Sequence, residues 1–174
     1  RSRLSSMPCP PMARDNDPER LRREFPVLHR RVTAWRHGPR GLMVCGRSRA
    51  GKTRCTSELV ARLILRDGRR VRAMRSTELA MRIGLLAKDP SELMGFQAGL
   101  EDCDTLWIDD LGKETLAPWV RGIVFGILDS RMANGKPVLV TTNLTGEELA
   151  AHFGARHGAP LVARLTEACE VIRA

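Results

Sequence analysis

The chain has 174 residues, of which 43% are hydrophobic and 28% charged, and this is typical of a single globular domain with its own core. No apolar run approaches the ~18 residues that a membrane-spanning helix needs, so we expect no membrane partner. The polar, proline-rich beginning lacks the apolar segment of a signal peptide. The five cysteines are odd in number and widely spaced, which argues against zinc sites and disulfides and predicts reduced thiols in a cytoplasm.

Charge is distributed unevenly along the chain, whose formal net charge is +9. Residues 1–82 contain 21 Lys and Arg against 7 Asp and Glu, whereas residues 83–174 contain 8 against 13. The basic half indicates either a polyanionic partner such as nucleic acid or an acidic neighbour. Arg outnumbers Lys by 25 to 4. A general preference for arginine in the composition of this chain is therefore the alternative explanation of its basic half.

The first segment in chain order is predicted to be an arm. Residues 1–18 contain four prolines among serines and arginines, a composition typical of disordered linkers. A helix is predicted to begin at Pro18, because Asp17 is a suitable N-cap and proline is favoured at the first helical position. Pro26 then interrupts or restarts that helix. We therefore assign residues 1–37 to an N-terminal arm with a short helix, a remnant or a linker.

A glycine-rich segment lies between an apolar, strand-like run and apolar residues at helical spacing. It reads G-x-x-x-x-G-K-T, the Walker A pattern of phosphate-binding loops, and this strand–loop–helix context is the one that the motif requires. Its residues are Gly46, Arg47, Ser48, Arg49, Ala50, Gly51, Lys52 and Thr53. Backbone N–H groups and the helix N-terminus are expected to attract phosphate there.

Individual residues of this loop have predicted roles. Gly51 lets the backbone approach the phosphates, Lys52 brings positive charge to the β- and γ-phosphates, and the Thr53 hydroxyl ligates Mg²⁺. Arg54, which follows the motif, completes the set that we expect to bind ATP. A turn that merely connects a strand to a helix is the alternative interpretation of this segment.

The elements that follow the loop alternate between helix and strand. The helix after the loop carries charged residues at i, i+4 spacing, which predicts a solvated face with weak ion pairs: Arg54, Glu58, Arg62 and Arg66. Residues 70–75 alternate Arg with apolar residues and are predicted to form a strand with one wet side. Ser76 and its neighbours are predicted to cap the next helix, and residues 91–100 to form a second short helix.

An acidic pair ends the third predicted strand, residues 105–108. Asp109 and Asp110 follow this buried apolar run. The carboxyl ends of parallel strands meet at the edge of the sheet where ligands bind, so we expect the pair beside the phosphate loop. The pattern is that of a Walker B element, in which Asp109 holds Mg²⁺ and Asp110 polarises the attacking water. Two solvated carboxylates in a turn are the alternative.

The fourth predicted strand ends in Thr-Thr-Asn, residues 141–143, after a long helix. Asn143 is predicted to lie between the loop and the acidic pair, where its amide would hydrogen-bond the γ-phosphate or the water; a simple turn role is equally open. The rest of the chain is predicted to form a helix, a loop, a short helix and a fifth strand, at residues 146–152, 154–158, 160–165 and 170–173.

This order predicts an α/β fold with a parallel sheet and right-handed crossovers. It resembles the AAA+ (ASCE) class of P-loop NTPases, which implies a three-layer sandwich with a five-stranded parallel sheet of order 5-1-4-3-2. The D-D-L-G run at 109–112, the T-T-N run at 141–143 and residues 158–165 are similar to bacterial and phage helicase loaders of the DnaC type. Transposition helper ATPases of the IstB type share much of this pattern. The resemblance covers residues 38–174, which we assign to an AAA+ ATPase domain without a C-terminal lid.

The resemblance implies further roles for arginines. Arg164 matches the family's arginine finger, which reaches the γ-phosphate of a neighbouring subunit; a forked guanidinium that is always charged suits that role. Arg131 is a weaker candidate for the same interface. The fourth loop position, often glycine in this family, is Arg49, so we expect loop conformation or turnover to differ. The implied catalytic residues are Lys52, Asp110, Asn143 and Arg164.

The implied function is ATP-dependent self-association on single-stranded DNA and loading of a replicative ring helicase in a bacterial or phage-infected cell. Hydrolysis of ATP is expected to need Mg²⁺, to be slow and to be stimulated by assembly or DNA. One alternative is a transposition helper that acts on duplex DNA. A small-molecule kinase would share the phosphate loop, but the acidic pair and the T-T-N run argue against it.

Overall fold

The computed structural model describes residues 17–174. The first sixteen residues of the predicted arm, which include Cys9, lie outside the described residues. Within residues 17–174 two helices precede the first strand, two helices separate the second strand from the third, and one helix separates each other pair of successive strands. The strands are β1 Gly41–Cys45, β2 Val71–Arg75, β3 Thr105–Asp109, β4 Val138–Thr142 and β5 Cys169–Arg173. The helices are α1 Pro18–Glu24, α2 Pro26–Ala34, α3 Lys52–Leu65, α4 Ser76–Leu86, α5 Pro90–Asp102, α6 Pro118–Ala133 and α7 Gly146–Ala168.

The five strands form one parallel sheet of order β2-β3-β4-β1-β5, which is the predicted order 5-1-4-3-2 counted from the other edge. The prediction of the fold is therefore confirmed. Cys45 at the end of β1 is in register with Thr142 at the end of β4. Arg75 and Asp109 pair likewise at the ends of β2 and β3. The segments that leave these strands consequently begin at one edge of the sheet.

Helices cover both faces of the sheet, because strand side chains point alternately to opposite sides. Met43 and Val140 belong to an apolar cluster completed by α4, α5, α6 and α7. Their neighbours Leu42 and Leu139 belong to a second cluster completed by α2 and α3. All four side chains are buried, and full burial stabilises the fold by about 1.5–3 kcal/mol for each side chain of this size. The result is the three-layer sandwich that the sequence predicts.

The two N-terminal helices form where the prolines predict them. Asp17 accepts a hydrogen bond from the Glu19 backbone N–H at 2.9 Å and caps α1. Pro26 occupies the first position of α2, so it restarts the helix after a break at Phe25. Leu28 and Val32 of α2 then pack into the second cluster against α3.

The prediction of a solvated face on α3 is wrong for Glu58 and Arg62, because α2 packs against this part of the helix. Glu58 pairs with His29 of α2, with 2.7 Å between Oε2 and Nε2. Arg62 donates to the backbone carbonyls of Thr33 and Trp35, and burial lowers the pKa of its guanidinium. Charged residues at i, i+4 spacing cannot distinguish a face that meets water from a face that meets the polar backbone at the end of another helix.

The last helix also differs from the prediction. Residues 146–168 form one helical element, and the predicted loop is reduced to one non-helical residue, Gly154, at φ 79° and ψ 173°. Gly158 also permits a close approach, since a Cβ there would lie 1.9 Å from the Ala150 carbonyl oxygen. The two glycines therefore allow a tight kink. Within residues 17–174, no helix is long and apolar enough to span a membrane.

Candidate nucleotide-binding site

The phosphate loop joins β1 to α3, and α3 begins directly at Lys52. Gly51 precedes the helix with a left-handed backbone, φ 83°, and a Cβ there would lie 2.7 Å from the ring of Phe25. Arg49 also has a positive φ, 65°. A left-handed backbone costs a non-glycine residue roughly 1–2 kcal/mol, so the loop holds Arg49 in a conformation that suits glycine better.

Lys52 is turned into the loop and only 4% of it is exposed. Its ammonium donates to the carbonyl oxygens of Gly46 and Arg47, both at 2.8 Å, and to Oδ1 of Asn143 at 2.7 Å. Burial lowers the pKa of Lys52, and the carboxylates of Asp110 and Asp109 partly oppose that shift. These three acceptors are neutral, so the positive charge inside the loop is not directly paired. Phosphate oxygens would supply the missing negative charge.

Asp109 is buried at the end of β3 and faces the first turn of α3. Its Oδ1 accepts hydrogen bonds from the hydroxyls of Thr53, at 2.8 Å, and Thr141, at 2.6 Å. Burial raises the pKa of this carboxyl, whereas the two hydroxyls act in the opposite direction. The Thr53 hydroxyl and the Asp109 carboxylate are oxygen donors of the type that Mg²⁺ prefers. A divalent cation would also offset the cost of burying the carboxylate, so these residues fit Mg²⁺.

Asp110 has a left-handed backbone, φ 56°, and is fixed by neighbouring elements. Its N–H donates to the Thr141 hydroxyl at 2.9 Å, and its carbonyl accepts from the Ser76 hydroxyl at 2.7 Å. Its carboxylate lies 3.5 Å from the ammonium of Lys113. The prediction that Ser76 caps α4 is therefore wrong. Ser76 is already the first residue of the helix, and its hydroxyl donates to the backbone carbonyl of Asp110.

One cavity of about 520 Å³ collects most of the predicted residues. Lys52, Thr53, Asp110 and Asn143 line it together with loop residues and Arg54. Phe25 and Lys113 line it as well, and the sequence did not reveal them. Pro26 predicts the break between α1 and α2 at Phe25, but no local pattern indicates that the Phe25 ring packs against the loop at Gly51. Lys113 directly follows the D-D-L-G run and Thr141 begins the T-T-N run, and these positions are the signal that would have suggested them.

The two predicted interface arginines lie elsewhere. Arg164 is half exposed on α7 and pairs with Asp129 at 3.1 Å. It lines a separate cavity with Pro39 and Gly135, residues that precede β1 and β4 at the opposite edge of the sheet. The structure therefore does not bring Arg164 to the nucleotide cavity of its own chain.

Arg131 is buried, with 1% exposed, so the prediction that it serves an interface is wrong. Its guanidinium donates to carbonyl oxygens at the end of α5 and before β4, those of Leu100, Glu101, Cys103, Asp104 and Pro137. A helix C-terminus leaves carbonyls without partners, and a cation satisfies them. Burial lowers the pKa of this guanidinium. Arg131 is thus a structural residue that joins α5 and α6 to the sheet.

The fold is similar to solved structures of replication proteins. The crystal structure of the DnaC helicase loader has a TM-score of 0.70 at 22% identity, over 91% of each chain. The crystal structure of DnaI has a TM-score of 0.66 at 22% identity, over 91% of this chain and 86% of that one. AMPPCP-bound DnaA from Aquifex aeolicus has a TM-score of 0.68 at 16% identity, over 94% of this chain. At these identities the likeness concerns the fold alone.

The chain spans 50% of that DnaA and 46% of a DNA replication initiation factor of similar fold. Among curated proteins, none matches the sequence significantly. A family model described as IstB-like ATP binding protein matches residues 27–174. The matched range begins in α2 and includes the phosphate loop, the acidic pair and every strand of the sheet. The fold, the site and this match agree: the chain belongs to the IstB-like ATP-binding proteins of the AAA+ class.

Proposed function

We propose that this protein binds ATP together with Mg²⁺ in the cavity between the phosphate loop and the acidic pair, and that it hydrolyses the nucleotide. The convergence of Lys52, Asp110 and Asn143 on one cavity carries this proposal. Membership of an ATP-binding family supports the choice of nucleotide. The DnaA structure of similar fold, whose nucleotide is AMPPCP, supports it too.

Binding of the triphosphate is assigned to the loop and α3. The first turn of α3 presents backbone N–H groups and the positive end of the helix dipole. Lys52 would exchange its carbonyl acceptors for phosphate oxygens, which supply the charge that those carbonyls lack. Oδ1 of Asn143 accepts a hydrogen bond from Lys52 in the same cavity. The amide of Asn143 therefore lies where it would hydrogen-bond a γ-phosphate or water.

Thr53 and Asp109 would hold Mg²⁺, which neutralises charge on the β- and γ-phosphate oxygens during phosphoryl transfer when it is bound. Asp110 is assigned the polarisation of the attacking water, because its carboxylate lines the cavity beyond the buried Asp109. The Lys113 ammonium lies 3.5 Å from that carboxylate and helps to orient it. The anhydride bond to the γ-phosphate breaks as the water oxygen attacks, which yields ADP and inorganic phosphate.

We further propose that the protein self-associates on single-stranded DNA when ATP is bound and delivers a replicative ring helicase. The fold shared with the DnaC helicase loader supports this. DnaA, of similar fold, has been solved with AMPPCP and single-stranded DNA. The family match favours a second candidate, an IstB-type transposition helper that acts on duplex DNA. The basic first half suits either polyanion.

ATP turnover tests these functions. Lys52→Ala should abolish ATP binding measured by calorimetry, whereas Lys88→Ala, which removes an exposed ammonium, should leave it unchanged. Unaltered affinity in Lys52→Ala would contradict the site. Stimulation of turnover by single strands indicates a loader, by duplex DNA a transposition helper, and by a small phosphoacceptor a kinase. Co-purification with a replicative helicase in the presence of ATP should follow only in the first case.

A further inference from the structure

The turn that follows Asp110 is held by a buried carboxylate that the proposed mechanism has not used. Glu114 is 5% exposed. Its Oε2 accepts a hydrogen bond from the Gly112 N–H at 3.0 Å, and its Oε1 lies 3.3 Å from Nε2 of His152 on α7. Both carboxylate oxygens therefore have a partner, one within the turn and one on a packed helix.

The backbone of this turn adopts a conformation that only glycine accommodates easily at residue 112. The Lys113 N–H donates back to the Asp110 carbonyl at 3.1 Å, and Gly112 has a φ of 95°. A Cβ at Gly112 would lie 2.4 Å from the side chain of Leu144, so the backbone is also closely packed. Glu114 satisfies the Gly112 N–H, which is half-buried, and a backbone N–H that loses its partner in such a place costs free energy.

We propose that Glu114, held in place by His152, is a positioning residue for ATP hydrolysis. By fixing the turn, it orients the Asp110 carboxylate toward the cavity and keeps Lys113 beside it. Neither Glu114 nor His152 is among the described residues that line the nucleotide cavity, so both act through Asp110. This inference rests on the proposed role of Asp110 in polarising the water.

The consequence is a loss of turnover without a loss of binding. A small displacement of a catalytic group lowers the rate by up to about 10²-fold, while the phosphate loop is unaffected. In Glu114→Ala we expect kcat to fall about 10- to 100-fold, with ATP affinity and KM close to wild type. Glu114→Gln retains an oxygen acceptor for the Gly112 N–H and should retain most of kcat. Glu92→Ala, which removes an exposed carboxylate in the first turn of α5, is the matched control.

A double variant separates positioning from a general structural effect. If Glu114 acts through Asp110, adding Glu114→Ala to Asp110→Asn should slow hydrolysis no further, because the group being positioned is already disabled. Independent effects that multiply would overturn the inference. So would a wild-type kcat in Glu114→Ala, or a loss of activity in Glu114→Gln equal to that in the alanine variant.

The experiment remains decisive if Glu114→Ala does not fold, as judged by thermal unfolding. His152→Ala leaves the Gly112 contact intact but removes the support from α7, and it must then lower kcat while Glu114→Gln remains active. Full activity in His152→Ala would overturn the inference. Full activity in Asp110→Asn, or a wild-type protein without ATP hydrolysis, would instead contradict the proposed function itself, and this inference with it.

Discussion

At Arg49 the backbone conformation favours glycine, whereas the position of the side chain in the cavity favours a cation. Its φ of 65° suits glycine, yet its guanidinium lines the cavity where phosphates are proposed to bind. Arg49→Gly removes a strain of roughly 1–2 kcal/mol but makes the unfolded chain more flexible by about 0.5–1 kcal/mol. We therefore expect the free energy of unfolding to change by less than about 1.5 kcal/mol.

The same substitution should weaken ATP binding, because it removes a positive charge from the cavity. Arg47→Gly is the matched control: it removes an arginine from the same loop, at a position without a positive φ. Urea unfolding should show a clear loss of stability only in the Arg47 variant. A large loss of stability in Arg49→Gly would mean that the arginine side chain stabilises the loop by more than the strain it causes.

Asp109 gives a second prediction at this scale, since burial raises the pKa of its carboxyl. Between the ordinary carboxyl pKa and the raised one, the folded protein binds more protons than the unfolded chain. Its contribution to stability is therefore present at low pH and lost as pH rises through that interval. At neutral pH, Asp109→Asn should stabilise the ligand-free protein and remove the additional stabilisation by ATP with Mg²⁺.

Thermal unfolding at pH 7, with and without nucleotide and metal, measures both effects of Asp109→Asn. Thr105→Val is a useful control, because Thr105 is buried on the same strand and its hydroxyl has no hydrogen-bond partner. It should leave the response to ATP with Mg²⁺ unchanged. A ligand-free Asp109→Asn protein less stable than wild type would show that the bonds from Thr53 and Thr141 to the carboxylate outweigh its burial.

Among the elements, β2 is the edge strand most suited to a polyanion. Arg72 and Arg75 are exposed on it, and Arg75 lies in register with Asp109 at the edge of the nucleotide site. Arg70 precedes the strand, but its guanidinium already pairs with Asp104 at 3.3 Å. Arg72 and Arg75 are therefore expected to contribute more to DNA contact than Arg70.

Binding of single-stranded DNA at several salt concentrations tests this strand. Affinity should fall steeply with salt, and replacing Arg72 or Arg75 by Ala should each reduce the slope of log affinity against log salt by about 0.7. Arg70→Ala should change the slope less. Salt-insensitive binding, or equal slopes in all three variants, would place the DNA contact on another element or exclude it.

Elements that carry a repeating pattern were predictable from the sequence, whereas contacts made between elements were not. The phosphate loop and the acidic pair follow from local motifs and from the rule that parallel strands present their carboxyl ends together. The order of the strands was implied only by the resemblance to AAA+ ATPases. Three features depend instead on distant partners: the burial of Arg131, the hydrogen bond from Ser76 to Asp110, and the packing of Phe25 against the loop. Nor does spacing in glycine-rich segments distinguish a loop from a kinked helix such as α7.

At the scale of the whole molecule, the main feature is the distance between the nucleotide cavity and Arg164. Within one chain, Arg164 lies at the opposite edge of the sheet and forms an ion pair with Asp129. If it acts as an arginine finger, it acts on the nucleotide of a neighbouring chain. Hydrolysis should then rise more than linearly with protein concentration, and Arg164→Ala should flatten that rise without changing ATP affinity.

Mixing two inactive variants tests this arrangement most directly. Lys52→Ala lacks a working phosphate loop and Arg164→Ala lacks the finger, so neither should hydrolyse ATP alone. A mixed assembly contains interfaces where an intact loop meets an intact finger, and partial activity should return. An arginine supplied in trans contributes ~10³-fold or more in rate in some NTPases, so even a minority of such interfaces is measurable. Arg156→Ala, which removes another exposed arginine from α7, should be active when it is assayed alone, because both its phosphate loop and Arg164 are intact. If the mixture stays inactive although both variants fold and associate, Arg164 does not complete a neighbour's site, and its ion pair with Asp129 is structural.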